Sequence, residues 1–297
     1  MENSTNINWF PGHMAKTKKQ IVEDLKLIDI VIEILDARIP VSSQNPDVQV
    51  YTRNKKKITI LNKADLADEN ITKEWIEHFS QNGNVAIAVQ ANTGKGMEKV
   101  VPAIKSLYAD TLAKFEEKGR VGRTAKVMIL GIPNVGKSTF INKLAKRNVA
   151  RAANKPGVTQ TKQWIKIDEN IDLMDTPGML WPKLGDEVVG EHLAYIKSIG
   201  DKAFDNEVLA YSLLNYLIEN YKKNVENRYD INIDEILEEN QDLIDQGEDE
   251  TLIIRDSIAR KKGAIMSGGR INEQKVSDMI LIDFQSGKLG RITLERV

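Results

Sequence analysis

The 297-residue chain, 41% hydrophobic and 29% charged, is long enough for one large or two ordinary domains and too apolar to be disordered. With no cysteine and only His13, His78 and His192, it has no disulfide and no thiolate zinc site, and no apolar run nears the roughly 20 residues that cross a bilayer. The net charge of −1 hides a segregation: 114–166 holds thirteen Lys/Arg against Glu116 and Glu117, whereas 201–250 holds fifteen acids against four bases, so distinct surfaces are expected. Ordinary surface charge and a basic face for a polyanion both fit this pattern. Residues 1–8 are polar and lack a secretory core, so a cytoplasmic location without membrane attachment is expected.

In chain order, 14–26 reads as an amphipathic helix, 28–35 as a buried strand and 45–53 as a short helix. Strand 58–61, helix 72–81, strand 85–89 and a long helix over 96–118 follow. Next come strand 126–130, helix 137–146, and a hairpin of 164–168 with 170–174. Apolar strands alternating with amphipathic helices predict a parallel α/β sheet. After Pro182 the rhythm changes to helices at 188–199, 206–219, 233–243, 252–262 and 276–284, with no run resembling a buried strand. The expected division is 1–183 for the α/β domain and 184–297 for a small all-α domain.

The chemistry gathers at the strand ends. Gly131-Ile132-Pro133-Asn134-Val135-Gly136-Lys137-Ser138, followed by Thr139, fits the phosphate-binding loop in the context that motif requires, after a strand and opening a helix. Backbone N–H groups of such a loop, from Asn134 and Val135 through Gly136, wrap phosphates. Lys137 neutralises the β and γ groups, and the Ser138 hydroxyl ligates Mg²⁺. Asp175-Thr176-Pro177-Gly178 ends the next strand, where Asp175 can hold Mg²⁺ through water and the Gly178 N–H can meet the γ-phosphate. Asn62-Lys63-Ala64-Asp65 ends the strand 58–61. The Asp65 carboxylate can accept from guanine N1–H and the exocyclic amine, a donor pair adenine lacks. Asn62 can bond the Hoogsteen edge and the Lys63 stem can cover the ring. Gln90-Ala91-Asn92-Thr93-Gly94-Lys95-Gly96 resembles the loop that backs guanine, with Gln90 where serine is usual and the Ala91 N–H facing O6.

The order of these motifs is reversed from that of an ordinary GTPase, base-reading strands preceding phosphate-reading ones. A cyclic shift keeps the same sheet if helix 96–118 and the linker through Arg123 join the old termini. The fold class expected is therefore α/β: a circularly permuted, Ras-like P-loop GTPase domain followed by a small all-α C-terminal domain.

The chain resembles the circularly permuted GTPases of ribosome assembly, and within them the ribosome biogenesis GTPase A family. Beyond the motifs above, the resemblance includes Trp9-Phe10-Pro11-Gly12-His13-Met14, Asp36-Ala37-Arg38-Ile39-Pro40, Pro156-Gly157-Val158-Thr159, Trp181-Pro182 and Met266-Ser267-Gly268-Gly269. Gln44 departs from it, standing where arginine is expected before Asn45-Pro46. The resemblance implies GTP and GDP as ligands with Mg²⁺, and the large ribosomal subunit precursor and its rRNA as partner. It further implies a protein that is monomeric off the ribosome, whose hydrolysis the ribosome stimulates. Met179 stands where many GTPases carry a glutamine that orients water, so catalysis is expected from another residue, and the resemblance implies His13, although His13 could instead cap the helix starting near Met14. Thr159 is the expected switch threonine on Mg²⁺, with a simple Pro-Gly turn as the alternative. Asn134 resembles the asparagine that marks potassium-stimulated GTPases. Arg255, Arg260, Lys261, Lys262 and Arg270 are the rRNA candidates, or else a solvated face. Two other functions fit the same sequence: a GTP-dependent binding switch with negligible hydrolysis, acting on a small-subunit or protein partner, and a GTPase acting on protein or membrane partners.

Overall fold

The computed structural model describes residues 19–119, 122–146, 163–176, 186–200 and 203–297. The fold divides into two compact units, one running to Gly200 and including Thr293–Val297, the other Asp201–Ile292. The boundary expected at 183/184 lies outside the described residues.

The first unit is built on a six-stranded sheet. Its elements are β1 (Ile30–Asp36), α1 (Pro46–Tyr51), β2 (Lys56–Asn62), α2 (Glu69–Phe79), β3 (Val85–Ala88), α3 (Val100–Glu116), β4 (Ala125–Leu130), α4 (Lys137–Leu144), β5 (Gln163–Asp168), β6 (Ile171–Asp175) and α5 (Glu187–Tyr195). Strand order is β3-β2-β1-β4-β6-β5, parallel throughout except for β5, which pairs antiparallel with β6. All seven residues of β1 are buried, as expected of a central strand covered on both faces. One cluster joins Ile21, Leu25, Val31, Val48, Met128 and Met174, and another joins Leu35, Leu61, Ala67, Ile71 and Trp75. Each such aliphatic side chain contributes about 1.5–3 kcal/mol on burial. Side-chain caps set the helix starts: Asn45 accepts the Asp47 N–H ahead of Pro46, and Asp68 accepts those of Asn70 and Ile71.

Helix α3 carries the chain from β3, at the sheet edge, back to central β4. This is the join that the cyclic shift requires. Register then aligns the motifs: Asp36 stands beside Asn62, and Ile129 beside Asp175, at the carboxyl edge of the strands. Ligands of parallel α/β sheets bind at that edge.

The second unit is helical: α6 (Asn206–Tyr229), α7 (Ile233–Glu239), α8 (Gln241–Asp245), α9 (Glu250–Lys261) and α10 (Glu273–Gln285). Helix α6 is ten residues longer than the sequence reading of 206–219. Leu213, Leu217, Tyr221, Val225 and Tyr229 continue one buried stripe at four-residue spacing, through a kink at Tyr221. The expected helix 233–243 is divided at Asn240 into α7 and α8. The Arg228 guanidinium clamps the buried Asp283 carboxylate at 2.8 and 3.0 Å, tying α6 to α10. Among the described residues, no helix is long and apolar enough to cross a membrane.

Candidate nucleotide-binding site

Strand β4 ends at Leu130, and residues 131–136 form a loop that opens α4. The backbone here demands glycine. A Cβ on Gly131 would lie 2.8 Å from the Ile34 carbonyl oxygen. Gly136 has φ of +88°, and its Cβ would lie 2.4 Å from Asn62 Nδ2. Asn134 also takes a left-handed conformation, with φ of +63°. Lys137 follows at the first helical position and is buried. Burial lowers its ammonium pKa from the ordinary 10.5 to about 8, with the Asp175 charge opposing the fall. Asp175 is fully buried at the end of β6, and the Thr176 hydroxyl donates to the Ile129 carbonyl at 2.6 Å. Ser138 and Thr139 are half-buried in the first turn of α4.

On the neighbouring strand, Asn62 is buried and works in two directions. Its Nδ2 donates to the Val135 carbonyl at 2.7 Å, and its Oδ1 accepts the Ala91 N–H at 3.1 Å. Lys63, with φ of +58°, sends its ammonium to the Asn134 carbonyl at 2.7 Å and to Asp36 Oδ2 at 2.9 Å. The stretch 62–63 is thereby joined to the 134–135 stretch of the glycine loop by two hydrogen bonds. Asp65 is exposed, and its carboxylate makes no hydrogen bond among the described residues. The Gln90 turn closes through Gln90 N–H to the Lys95 carbonyl at 2.9 Å, and Thr93 Oγ1 donates to Gln90 Oε1 at 3.1 Å. Gly96 permits this turn, because a Cβ there would lie 2.4 Å from the Ala88 carbonyl.

Two sets of contacts were not legible as site residues in the sequence. Asp36 is fully buried, and its carboxylate accepts from Arg38 N–H at 3.1 Å, from Arg38 Nε and Nη2 at 2.9 Å each, and from Lys63. Burial alone would raise the Asp36 carboxyl, but Arg38 and Lys63 overcome it and hold it well below the usual carboxylate range. The only sequence signal was an Asp closing a buried strand with an Arg two residues later. The second set comes from the turn after α5, where Asn134 Nδ2 donates to the Lys197 carbonyl and Ser198 Oγ donates to the Pro133 carbonyl at 2.6 Å.

Comparison with known proteins decides what this geometry belongs to. The family described as RsgA GTPase matches residues 15–184, and that described as 50S ribosome-binding GTPase matches residues 126–244. Ribosome biogenesis GTPase A of Bacillus licheniformis is 43% identical over 290 residues, covering 98% of both chains. Its counterpart in Bacillus cereus is 42% identical over 97% of this chain and 93% of the relative. The chain belongs to the ribosome biogenesis GTPase A family. The crystal structure of GNP-bound YlqF from T. maritima, 26% identical, matches with a TM-score of 0.62 over 95% of this chain and 98% of that one.

As a member of this family the chain binds GTP and GDP and hydrolyses GTP. Three residues of this GTPase singled out in the sequence, His13, Thr159 and Gly178, lie outside the described residues, as does Met179. In the helical unit the five basic candidates differ in state. Arg255 is taken by Asp256 at 2.8 Å and Glu273 at 3.1 Å, and Lys261 pairs with Asp230 at 2.9 Å. Arg260, Lys262 and Arg270 are exposed and make no ion pair among the described residues. Arg270 belongs to a hairpin in which Ile265 bridges Ile271, leaving Ile265 and Met266 exposed beside it.

Proposed function

We propose that this GTPase reads guanine with Asn62, Lys63, Asp65, Gln90 and Ala91, and holds the phosphates with Asn134, Val135, Gly136, Lys137, Ser138, Thr139 and Gly178. The observation that carries this reading is the pair of bonds from Asn62 and Lys63 to the carbonyls of Val135 and Asn134. Residues of two motifs, 73 and 71 positions apart in the sequence, are held at hydrogen-bonding distance at one end of the sheet. Exposed Asp65 is the acceptor left for the base edge, and buried Lys137 is the cation left for the phosphates.

The same residues fit Mg²⁺. Among the described residues no group of three His, Asp or Glu is arranged to hold a metal. A hydroxyl from Ser138 and the buried Asp175 carboxylate are nevertheless the hard oxygen donors that Mg²⁺ takes when phosphates and water supply the rest. When bound, the ion neutralises charge on the phosphates. Thr159 is the third proposed ligand. The Asn134 amide nitrogen is engaged by Lys197, which leaves its oxygen as the donor for K⁺. His13 is proposed to orient the attacking water.

The proposed partner is the large ribosomal subunit precursor and its rRNA during late maturation in the cytoplasm, with ribosome-stimulated hydrolysis and a monomer off the ribosome. The names of the relatives and the 50S ribosome-binding description over 126–244 support this reading. So does the exposed basic tip with Arg260, Lys262 and Arg270, which can contact phosphates without reading bases. The test is phosphate release and co-sedimentation with large-subunit precursors and with small subunits, over a salt series. The expected result is stimulation by the large particle alone and binding that weakens steeply with salt. Replacing Lys262 and Arg270 by Glu should reduce the logarithmic salt slope by about 0.7–0.9 per lost phosphate contact. Equal stimulation by small subunits would refute this choice of partner.

A further inference from the structure

The segment Thr293–Val297 follows the helical unit in sequence yet belongs to the GTPase unit. It is held there by directed polar bonds. Glu295 lies with its side chain largely buried, Oε2 accepting the Val41 N–H at 2.5 Å and Oε1 accepting the Ser42 N–H at 2.9 Å. The Ser42 hydroxyl also donates to Oε1, and His192 Nδ1 stands 3.1 Å from it. The Leu294 N–H donates to the Arg38 carbonyl at 2.8 Å, and Trp75 Nε1 donates to the Glu295 carbonyl at 3.2 Å. The Thr293 hydroxyl accepts the Asp68 N–H at 3.0 Å.

Three of these bonds, to the Val41 and Ser42 N–H groups and the Arg38 carbonyl, fall on the backbone of 38–42, the turn whose Arg38 side chain holds Asp36. Asp36 in turn holds the Lys63 ammonium at 2.9 Å. The path from Glu295 to Lys63 is therefore continuous: carboxylate to the 41–42 amides, Leu294 to the Arg38 carbonyl, the Arg38 guanidinium to Asp36, and Asp36 to Lys63. A carboxylate that accepts two successive backbone N–H groups fixes that peptide with charge-assisted bonds about twice as strong as neutral ones. Lys63 needs such support, since it adopts φ of +58° and its half-buried ammonium loses hydration.

We propose that Glu295 is a positioning residue for guanine-nucleotide binding, acting through the 38–42 turn and Asp36 on Lys63. The proposal rests on the reading of Lys63 as part of the base site. It also makes nucleotide affinity depend on a segment joined directly to the helical unit, so a partner that drew Thr293–Val297 from its seat would release nucleotide.

The test measures fluorescent GDP and GTP binding by the full chain and by Glu295→Ala and Glu295→Gln, with urea unfolding of the same samples. Loss of charge-assisted bonds that act at one remove should weaken both nucleotides equally, by about three- to tenfold in Glu295→Ala. KM for GTP should rise by that factor with kcat unchanged, a split that general destabilisation does not produce. Glu295→Gln, which keeps one acceptor oxygen, should fall in between. Wild-type affinity in Glu295→Ala would overturn the proposal, whatever happens to stability. The base reading fails on a different result, an Asp65→Asn protein whose preference for guanine is unchanged.

Discussion

Gly136→Ala places a methyl group where the structure has none to spare. The new Cβ would lie 2.4 Å from Asn62 Nδ2, against the about 3.5 Å at which such atoms rest, so Asn62 must retreat by about 1 Å. That retreat takes its 2.7 Å bond to the Val135 carbonyl out of range and strains the 3.1 Å bond from the Ala91 N–H. Each lost bond to a buried group is worth about 1–1.5 kcal/mol, and the left-handed backbone costs a non-glycine residue about 1–2 kcal/mol more. Gly136→Ala should therefore destabilise the GTPase unit by about 3–5 kcal/mol. In an Asn62→Ala background the clash disappears and only the backbone term of about 1–2 kcal/mol remains, leaving a coupling of about 2–3 kcal/mol. Urea unfolding of the four nucleotide-free proteins, followed by tryptophan fluorescence, measures it. Residues 201–292 contain no tryptophan, and Trp75 and Trp164 belong to the GTPase unit, so the signal does not come from the helical unit. The same loss from Gly136→Ala in both backgrounds would refute the contact between the two loops.

The depressed pKa of Lys137 predicts a pH dependence with a defined sign. Between about 8 and 10.5 the nucleotide-free folded protein holds fewer protons at this site than the unfolded chain, so its stability rises with pH across that window. Bound phosphate favours the ammonium, so binding takes up a proton above pH 8 and GDP affinity falls by up to about tenfold per pH unit there. Titrations from pH 7 to pH 9.5 check this, with Lys137→Arg as a control that should stay flat; a flat wild-type profile contradicts it. Glu33 is a buried acid on the central strand, held by Lys57 at 3.0 Å and by Gln49 Nε2 at 2.8 Å. Glu33→Ala should cost about 2–4 kcal/mol in urea unfolding, and the apolar pair Glu33→Leu with Lys57→Met should recover much of it. No recovery in the double variant would count against the pair.

How much of this could be read from the sequence follows from the range of the forces involved. Strands β1, β2, β4 and β6 appear as apolar runs because a strand covered on both faces has few polar positions, and their limits fall within two residues of expectation. The glycine loop, the Asn62–Asp65 turn and the Gln90 turn are local devices with fixed spacing, so their places at strand ends were legible. Helix α6 outruns its expected end because Glu219, Asn220, Lys222 and Lys223 resemble a polar joint in the sequence, whereas Tyr221, Val225 and Tyr229 keep the stripe buried beneath them. The Asp36-Ala37-Arg38 run was visible as a motif, but its bond to Lys63 was not, and the seat of Glu295 left no local trace. Each depends on residues brought together by the sheet, Glu295 on amides more than 250 positions away.

Whether the Asn62–Asp65 turn and the 131–139 loop serve one guanine nucleotide is tested directly by Asp65→Asn. In the proposed base site the Asp65 carboxylate would accept from N1–H and the 2-amino group of guanine, whereas an asparagine amide can donate to the 2-oxo group of xanthine. Competition between GTP and xanthosine triphosphate for the full chain should show the preference moving toward xanthine by about two orders of magnitude or more. An Asp65→Asn protein that binds GTP as the wild type does, and still rejects the xanthine nucleotide, would contradict this reading.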